Sequence, residues 1–428
     1  MPGISASNGN KVSAQQATQE AISQWQKGQQ PSSPTEWIAR AKQVGDILAI
    51  DAVEREQAQA IPEREVQLLK ESGLVTFLGP KQFGGAEGTW DIAYKLIREV
   101  SKADGSIGQL LGYHLVWFWH ARVLFNDAEY FEFIENEVRN KSFFGGAVNP
   151  RDSDLKIKDL GSEISFSGVK SFSTGGRISD ITVLEGVLEG TEDHIFAFVP
   201  TRQPGIQFKG DWDNLGQRLT ESGGVVIDNV RTPWKSAAGW SAYTKKYEAI
   251  PYHSLTLPII QLNFTNKYLG IAQGALEFAR NYSATKTRAW PKDCGGLGHD
   301  KAVDEWYLQE NYGQLYATLR AAEALIDDTG KQIAALAHAP RESVTAEQRA
   351  QVAVDVATAK LSIVDHGLYL TNKVFELTGA RATANSVGLD RFWRNLRTHT
   401  LHDPIAYKKV EVGRYVLTGE LPKPTWYT

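Results

Sequence analysis

His402 stands just ahead of Asp403-Pro404, where a helix must end. An imidazole titrates near neutral pH, so a histidine there can hold or move a proton during a reaction. The plainer alternative is a cation answering the dipole at a helix C-terminus. His399 lies three residues earlier, a spacing that two metal ligands can use, but no third ligand is evident nearby and no metal is expected. Tyr113 sits inside the aromatic, apolar run from Ser106 to Leu124, and a buried tyrosine hydroxyl needs a hydrogen-bond partner, from either the core or a ligand. Gln109 is one helical turn earlier on the same face; it can donate and accept a hydrogen bond but cannot exchange a proton at neutral pH. Arg288, Arg381 and the stripe Arg391, Arg394, Arg397 offer guanidinium forks of the kind that bind phosphate, although Arg394 and Arg397 read equally as ion-paired helix residues. Cys294-Gly295-Gly296-Leu297-Gly298-His299 has the glycines of a phosphate loop without the lysine or the preceding strand, and reads as a lid.

Three runs of secondary structure must position these groups. From about Pro34 to Val138 the pattern is helical. Pro62 opens one helix and Gly73 closes it, Thr89 to Val100 forms another, and Ser106 to Leu124, lacking a polar face, belongs in the protein centre. Alternating β-branched segments then appear at Glu163–Ser167, Ile181–Leu184, His194–Val199 and Gly224–Ile227, punctuated by Gly and Asp, which reads as an antiparallel β domain. After Pro251 the helical pattern returns and lasts to about Leu417. Helical, β and helical runs in succession, without βαβ alternation, exclude a parallel Rossmann-type sheet. The expected layout is a loose polar arm at 1–33, a helical domain at 34–142, a β domain at 143–235 and a helical bundle at 250–428.

Composition narrows the function classes. The 428-residue chain carries a net charge of −4, which argues against non-specific nucleic-acid binding. Its one cysteine, Cys294, rules out an intrachain disulfide framework and a cysteine-based zinc site, and fits a reducing cytoplasm. No apolar run of about 18 residues suggests a membrane span. Twelve Trp, fifteen Tyr and seventeen Phe suit a flat ring ligand, or simply a large core.

The three-part order and a series of local segments resemble the acyl-CoA dehydrogenase superfamily. The segments are Lys70-Glu71-Ser72-Gly73-Leu74, Pro80 to Gly85, Ala103 to Ser106, Ser167 to Gly175, Leu215 to Gly223 and Gly270 to Glu277. Asp211-Trp212, Gly112-Tyr113-His114 and the stretch from Asp390 to Pro404 are similar to the reduced-flavin monooxygenases related to dibenzothiophene monooxygenase. Common dehydrogenases carry a glutamate base in a Tyr-Glu-Gly motif where this chain reads Leu401-His402-Asp403. The resemblance implies an α+β fold: an N-terminal helical domain, a central antiparallel β domain and a C-terminal four-helix bundle. It implies a homotetramer that takes FMNH2 from a separate NAD(P)H-flavin reductase and uses O2, with a C4a-hydroperoxyflavin as the oxidant of a small organic substrate. S-oxidation of a thiophene or sulfide is the nearest analogy, and N-oxidation or aromatic hydroxylation would use the same oxidant.

By the same resemblance, Phe172, Ser173 and Thr174 meet the flavin ring at a strand end, with Thr174 bonding it. Trp212 stacks on the flavin or closes the pocket, and His402 lies beside the flavin. Tyr113 faces substrate and flavin edge with Gln109 where dibenzothiophene monooxygenase has a histidine, and Arg288 and Arg381 reach the phosphate, partly from a neighbouring subunit. Ala147 aligns with that enzyme's asparagine, and Asn149 lies two residues on. The rivals are an FAD-dependent acyl-CoA dehydrogenase, for which Glu277 is a conceivable base on an earlier helix, and a non-catalytic tetrameric scaffold.

Overall fold

In the computed structural model, which describes residues 12–152, 154–247 and 249–428, seven helices precede the sheet: α1 Ala14–Lys27, α2 Pro34–Leu48, α3 Ala52–Ala58, α4 Glu63–Glu71, α5 Trp90–Ala103, α6 Gly105–Leu124 and α7 Asp127–Arg139. Local chemistry sets their ends. Ser33 and Glu36 form a reciprocal capping box at the start of α2, with Pro34 at the first helical position. Gly73, at φ 80°, takes the left-handed conformation just beyond α4. Asp104 caps α6 by accepting from the backbone N–H groups of Ser106 and Ile107, at 2.9 and 3.2 Å, while Arg55 holds the same carboxylate at 2.7 Å.

The polar N-terminal stretch is a correction to the sequence reading. Residues 1–11 lie outside the described part, but α1 occupies much of the expected loose arm. Its polar composition hides one buried face: Ala14, Thr18 and Trp25 are covered, and the Trp25 indole donates to Gln43 at 3.2 Å.

The central sheet has seven strands: β1 Phe144–Ala147, β2 Lys156–Asp159, β3 Glu163–Lys170, β4 Ile181–Leu188, β5 His194–Pro200, β6 Ile206–Phe208 and β7 Val225–Pro233. Their order is β1-β4-β2-β3-β7-β6, with β5 also on β4. It is not wholly antiparallel as expected, because β1 and β2 both pair parallel to β4. They share one edge of β4 in succession: Ala147 lies opposite Leu184 and Lys156 opposite Val187. The chain leaves the sheet between them, and that excursion delivers Val148–Asp152 to the cavity described below. Ile157, Phe166, Leu184, Ala197 and Ile227 are among the buried side chains of the sheet's own core.

The C-terminal region contains α8 Thr256–Thr285, α9 Trp306–Ala337, α10 Ala346–Thr378, α11 Asp390–His399 and α12 Ile405–Thr418. Helix α8 packs against α5, α6, α9 and α10, so one continuous apolar core joins both helical regions. Among the described residues no helix is long and apolar enough to cross a membrane.

Candidate active site

Nearly every residue of α6 is buried, so its side chains sort by direction and not by exposure. Gln109, Tyr113, Trp117, His120 and Leu124 recur every three or four residues and share one face, the face that borders a cavity of about 2210 Å³. Tyr113 is 8% exposed; burial raises its pKa far above the usual phenol range, the Trp117 side chain beside its hydroxyl opposing this only in part, so it stays protonated. The neighbouring His114 points elsewhere. Its Nε2 meets the Val75 carbonyl at 2.7 Å, and its Nδ1 accepts from Phe144 N at 2.9 Å, so it pins α6 to β1. Burial lowers its pKa to about 4.

The β domain contributes the facing wall. After β3 the backbone carbonyl of Thr174 accepts from Gly146 of β1 at 3.0 Å. The Thr174 hydroxyl is 2.9 Å from that of Ser222, which is 2.7 Å from that of Thr220, and all three residues line the cavity. Phe172 is half exposed and meets Trp212 edge to face at 6.3 Å. The Trp212 indole donates to the Gln217 carbonyl at 2.8 Å. Gln217 holds a left-handed φ of 56°, fixed from α11: its N–H donates to Asn395 Oδ1 at 2.6 Å, and its amide donates to the Asn395 carbonyl at 3.1 Å. Gly216 is required at this seam, since a Cβ there would lie 2.1 Å from the Arg394 carbonyl. Ser173 departs from expectation. It is 2% exposed and does not border the cavity, because its hydroxyl turns away to donate to the Gly223 carbonyl at 2.6 Å. Ala147 is likewise buried in the sheet core, while Asn149 borders the cavity.

The third wall is the turn after α11. His402 presents a side chain 42% exposed, and its Nδ1 lies 3.2 Å from Asp403 Oδ1. A carboxylate can only accept, so Nδ1 carries the proton and Nε2 is left with a lone pair. Asp403 in turn accepts from the buried Lys360 at 2.7 and 2.8 Å, and Lys360 also donates to Gln261 at 2.7 Å. Burial alone would raise the Asp403 pKa; the His402 hydrogen bond and the Lys360 charge outweigh it and hold the carboxylate well below its usual range. His399 stacks on His402 with ring centroids 5.5 Å apart and bonds the Tyr268 hydroxyl through Nδ1 at 2.8 Å. Burial, then the nearby Lys267 charge, pushes its pKa well down, so it is neutral at physiological pH.

Six residues anticipated from sequence therefore share one cavity: Gln109, Tyr113, Phe172, Thr174, Trp212 and His402. Arg288 and Arg381 do not. Both are exposed, and Arg381 donates to the Lys286 carbonyl at 3.3 Å, which places the two arginines on one surface patch away from the cavity. Arg394 is ion-paired to Glu56 and Asp390, whereas Arg397 borders the cavity. Glu277, with its side chain 58% exposed and 3.7 Å from Arg280, lies outside the cavity. The carboxylates that do border it, Asp152, Glu192 and Asp193, all stand on β-domain loops; α6, α8 and the α11 turn contribute none. Sequence reading included Thr220 and Ser222 only as part of the Leu215–Gly223 loop, without a role for either, and passed over Lys267. The mid-helix lysine in the apolar run Leu262–Ile271 was a visible signal for the last.

Residues 262–406 match the family described as Acyl-CoA dehydrogenase, C-terminal domain. The chain is 33% identical to a probable FMNH2-dependent monooxygenase, SfnC, of Pseudomonas putida, over 92% of this chain and 98% of that protein. It superposes at a TM-score of 0.86 and 33% identity on dibenzothiophene monooxygenase TdsC of Paenibacillus sp. A11-2, solved with FMN and indole, covering 92% of this chain and 100% of that one. Methanesulfinate monooxygenase MsuC of Pseudomonas fluorescens also superposes at 0.86, with 34% identity, covering 91% of this chain and 99% of that one. With matches of this extent, the chain belongs to the acyl-CoA dehydrogenase superfamily, in the flavin-dependent monooxygenase group that contains SfnC and dibenzothiophene monooxygenase.

Proposed function

We propose that this protein is the oxygenase component of a two-component monooxygenase, which takes FMNH2 from a separate NAD(P)H-dependent reductase and inserts one atom of O2 into a small organic substrate, with a sulfur centre favoured. The observation that carries this reading is the meeting of Thr174, Tyr113, Trp212 and His402 on one cavity, with no carboxylate supplied by the helical walls. A dehydrogenase of this fold needs a base for the α-proton, and Glu277 is too remote to serve.

The residues fit a flavin. The Thr174–Ser222–Thr220 hydroxyls can bond a ring edge, the Phe172–Trp212 pair flanks it, and about 2210 Å³ leaves room for a substrate beside it. Reduced FMN bound there supplies the activation of O2. His402 receives and returns a proton through Nε2, because Asp403 fixes its tautomer and Lys360 fixes Asp403. Tyr113 offers its protonated hydroxyl to the substrate side. Trp117, Phe172 and Trp212 give the chamber an apolar wall, which limits water there and the loss of oxygen as H2O2. Arg288 and Arg381, exposed here, would meet the flavin phosphate across a subunit boundary in a homotetramer in the cytoplasm.

Equilibrium titration with FMN, FMNH2 and FAD tests the assignment. The reading expects preference for reduced FMN. A yellow protein with tightly held FAD would support the dehydrogenase, and no flavin binding would leave only a scaffold.

A further inference from the structure

Behind the Gln109 face of the cavity lies a buried lysine that the proposed chemistry does not use. Lys267, in the middle of α8, is fully buried, and among the described residues no carboxylate pairs with it. Its Nζ lies 5.2 Å from the Phe264 ring and 5.4 Å from the Tyr268 ring, and it donates to Gln109 Oε1. Burial, then the nearby Lys360 charge, lowers its pKa well below the usual lysine range, as a lysine without a counter-charge requires. The lysine nitrogen donates N–H to the Gln109 oxygen, and this sets which end of the amide faces which way. Oε1 turns toward α8 and Nε2 is left for the cavity. No described residue accepts from Nε2, although Gln109 borders the cavity.

We propose that Lys267 is a positioning residue that makes Gln109 a fixed hydrogen-bond donor, and that the substrate presents a sulfur-bound oxygen to it, as in a sulfoxide or sulfinate, whose sulfur still carries a lone pair, rather than a bare thioether or thiophene. This rests on the oxygenase reading for the identity of the cavity and deepens it by naming the substrate class. The physical reason is differential desolvation. A donor held in an apolar chamber is left unpaired by a thioether and is satisfied by an S–O oxygen.

The test is binding, separate from turnover. Methyl phenyl sulfoxide and methyl phenyl sulfide share one skeleton and differ by the acceptor oxygen. Each is titrated by calorimetry into the full-length protein with oxidised FMN present, so that no oxygen transfer occurs. In Gln109→Leu the sulfoxide should weaken by about fivefold or more, the equivalent of one lost hydrogen bond, while the sulfide changes by less than about twofold. Lys267→Met, which keeps chain length and removes the N–H donor, should narrow the same ratio; Gln109→Glu, which pairs with Lys267 and turns an acceptor to the cavity, should invert it. A ratio unchanged in Gln109→Leu, equal losses for both ligands, or no binding of either overturns the inference, and Gln109→Leu decides the matter if the α8 variant does not fold. An oxygenated product without ligand discrimination would sink this inference alone. Discrimination without any oxygenated product would sink the oxygenase reading alone.

Discussion

Replacing Asp403 by asparagine tests the relay that sets His402. The pair Lys360–Asp403 is 2.7 Å apart with side chains 2% and 7% exposed, so solvent screens it little. Removing one member of such a pair leaves a buried charge uncompensated and typically costs about 3–5 kcal/mol. Asparagine retains one acceptor for Lys360, so the lower end applies, about 3 kcal/mol. Urea denaturation at pH 7 should report that loss. The double variant Lys360→Met/Asp403→Leu removes both charges, and its loss should be well below the sum of the single variants, since two buried desolvation penalties disappear with the attraction. The chemical effect is separate. With its oxygen on Lys360, the introduced amide turns its N–H toward His402 Nδ1 and forces the proton onto Nε2, the wrong tautomer for receiving one. O2 consumption in the presence of a flavin reductase should persist, but the oxygen should appear as H2O2 instead of product. Peroxide and product quantified together check this. An Asp403→Asn protein with wild-type stability and full coupling of O2 to product would refute the relay.

Four further outcomes follow from the same geometry. Tyr113→Phe should lower the melting temperature by only a few degrees, because at most one side-chain contact, to Trp117, is lost, while product formation falls; a large drop in melting temperature with unchanged turnover would return Tyr113 to the core. Thr174→Val should cost about 0.5–1.5 kcal/mol for the lost Ser222 bond, measured by denaturation, and should raise the peroxide share of consumed O2. Arg288→Ala should weaken FMN binding by about tenfold or more, the size of a lost hydrogen bond to a phosphate, and light scattering should find a tetramer; a monomer with unaltered flavin affinity contradicts that placement. His114 has a folded pKa of about 4, below the ordinary 6.5, so its contribution to stability is complete above pH 6.5 and is lost as pH falls toward 4. Denaturation at pH 7.5 and 5.5 should show wild type losing more stability than His114→Gln.

The helical elements were legible because their stops are local. Gly73 and Pro34 act within one turn, and the apolar run of α6 has no other place than the centre. The i, i+4 spacing of Gln109 and Tyr113 was enough to put both on the cavity, and extending it would have added Trp117 and His120. What escaped was non-local. Whether Ser173 or Thr174 faces the chamber depends on the pairing of Thr174 with Gly146 and on the loop that ends at Ser222, about fifty residues away. The parallel edge made by β1 and β2 is a property of how distant segments register on β4, which alternation within each segment does not encode. The Lys267–Gln109 contact joins two helices and the Lys360–Asp403 contact joins α10 to the turn after α11, and in sequence each lysine shows only as a charge within a helical pattern. Helix α1 was hidden by composition, since one buried tryptophan in a polar segment carries its packing.

The most direct test of the central claim is isotopic. The purified protein is supplied with FMN, a flavin reductase, NADH and ¹⁸O2, and is offered methyl phenyl sulfide, methyl phenyl sulfoxide and methanesulfinate in turn. The account predicts a product carrying one ¹⁸O atom from O2, dependent on both the reductase and FMN, and lost to H2O2 in His402→Ala. Absence of labelled product from every substrate, together with anaerobic oxidation of an acyl-CoA by the protein with bound FAD, would contradict it.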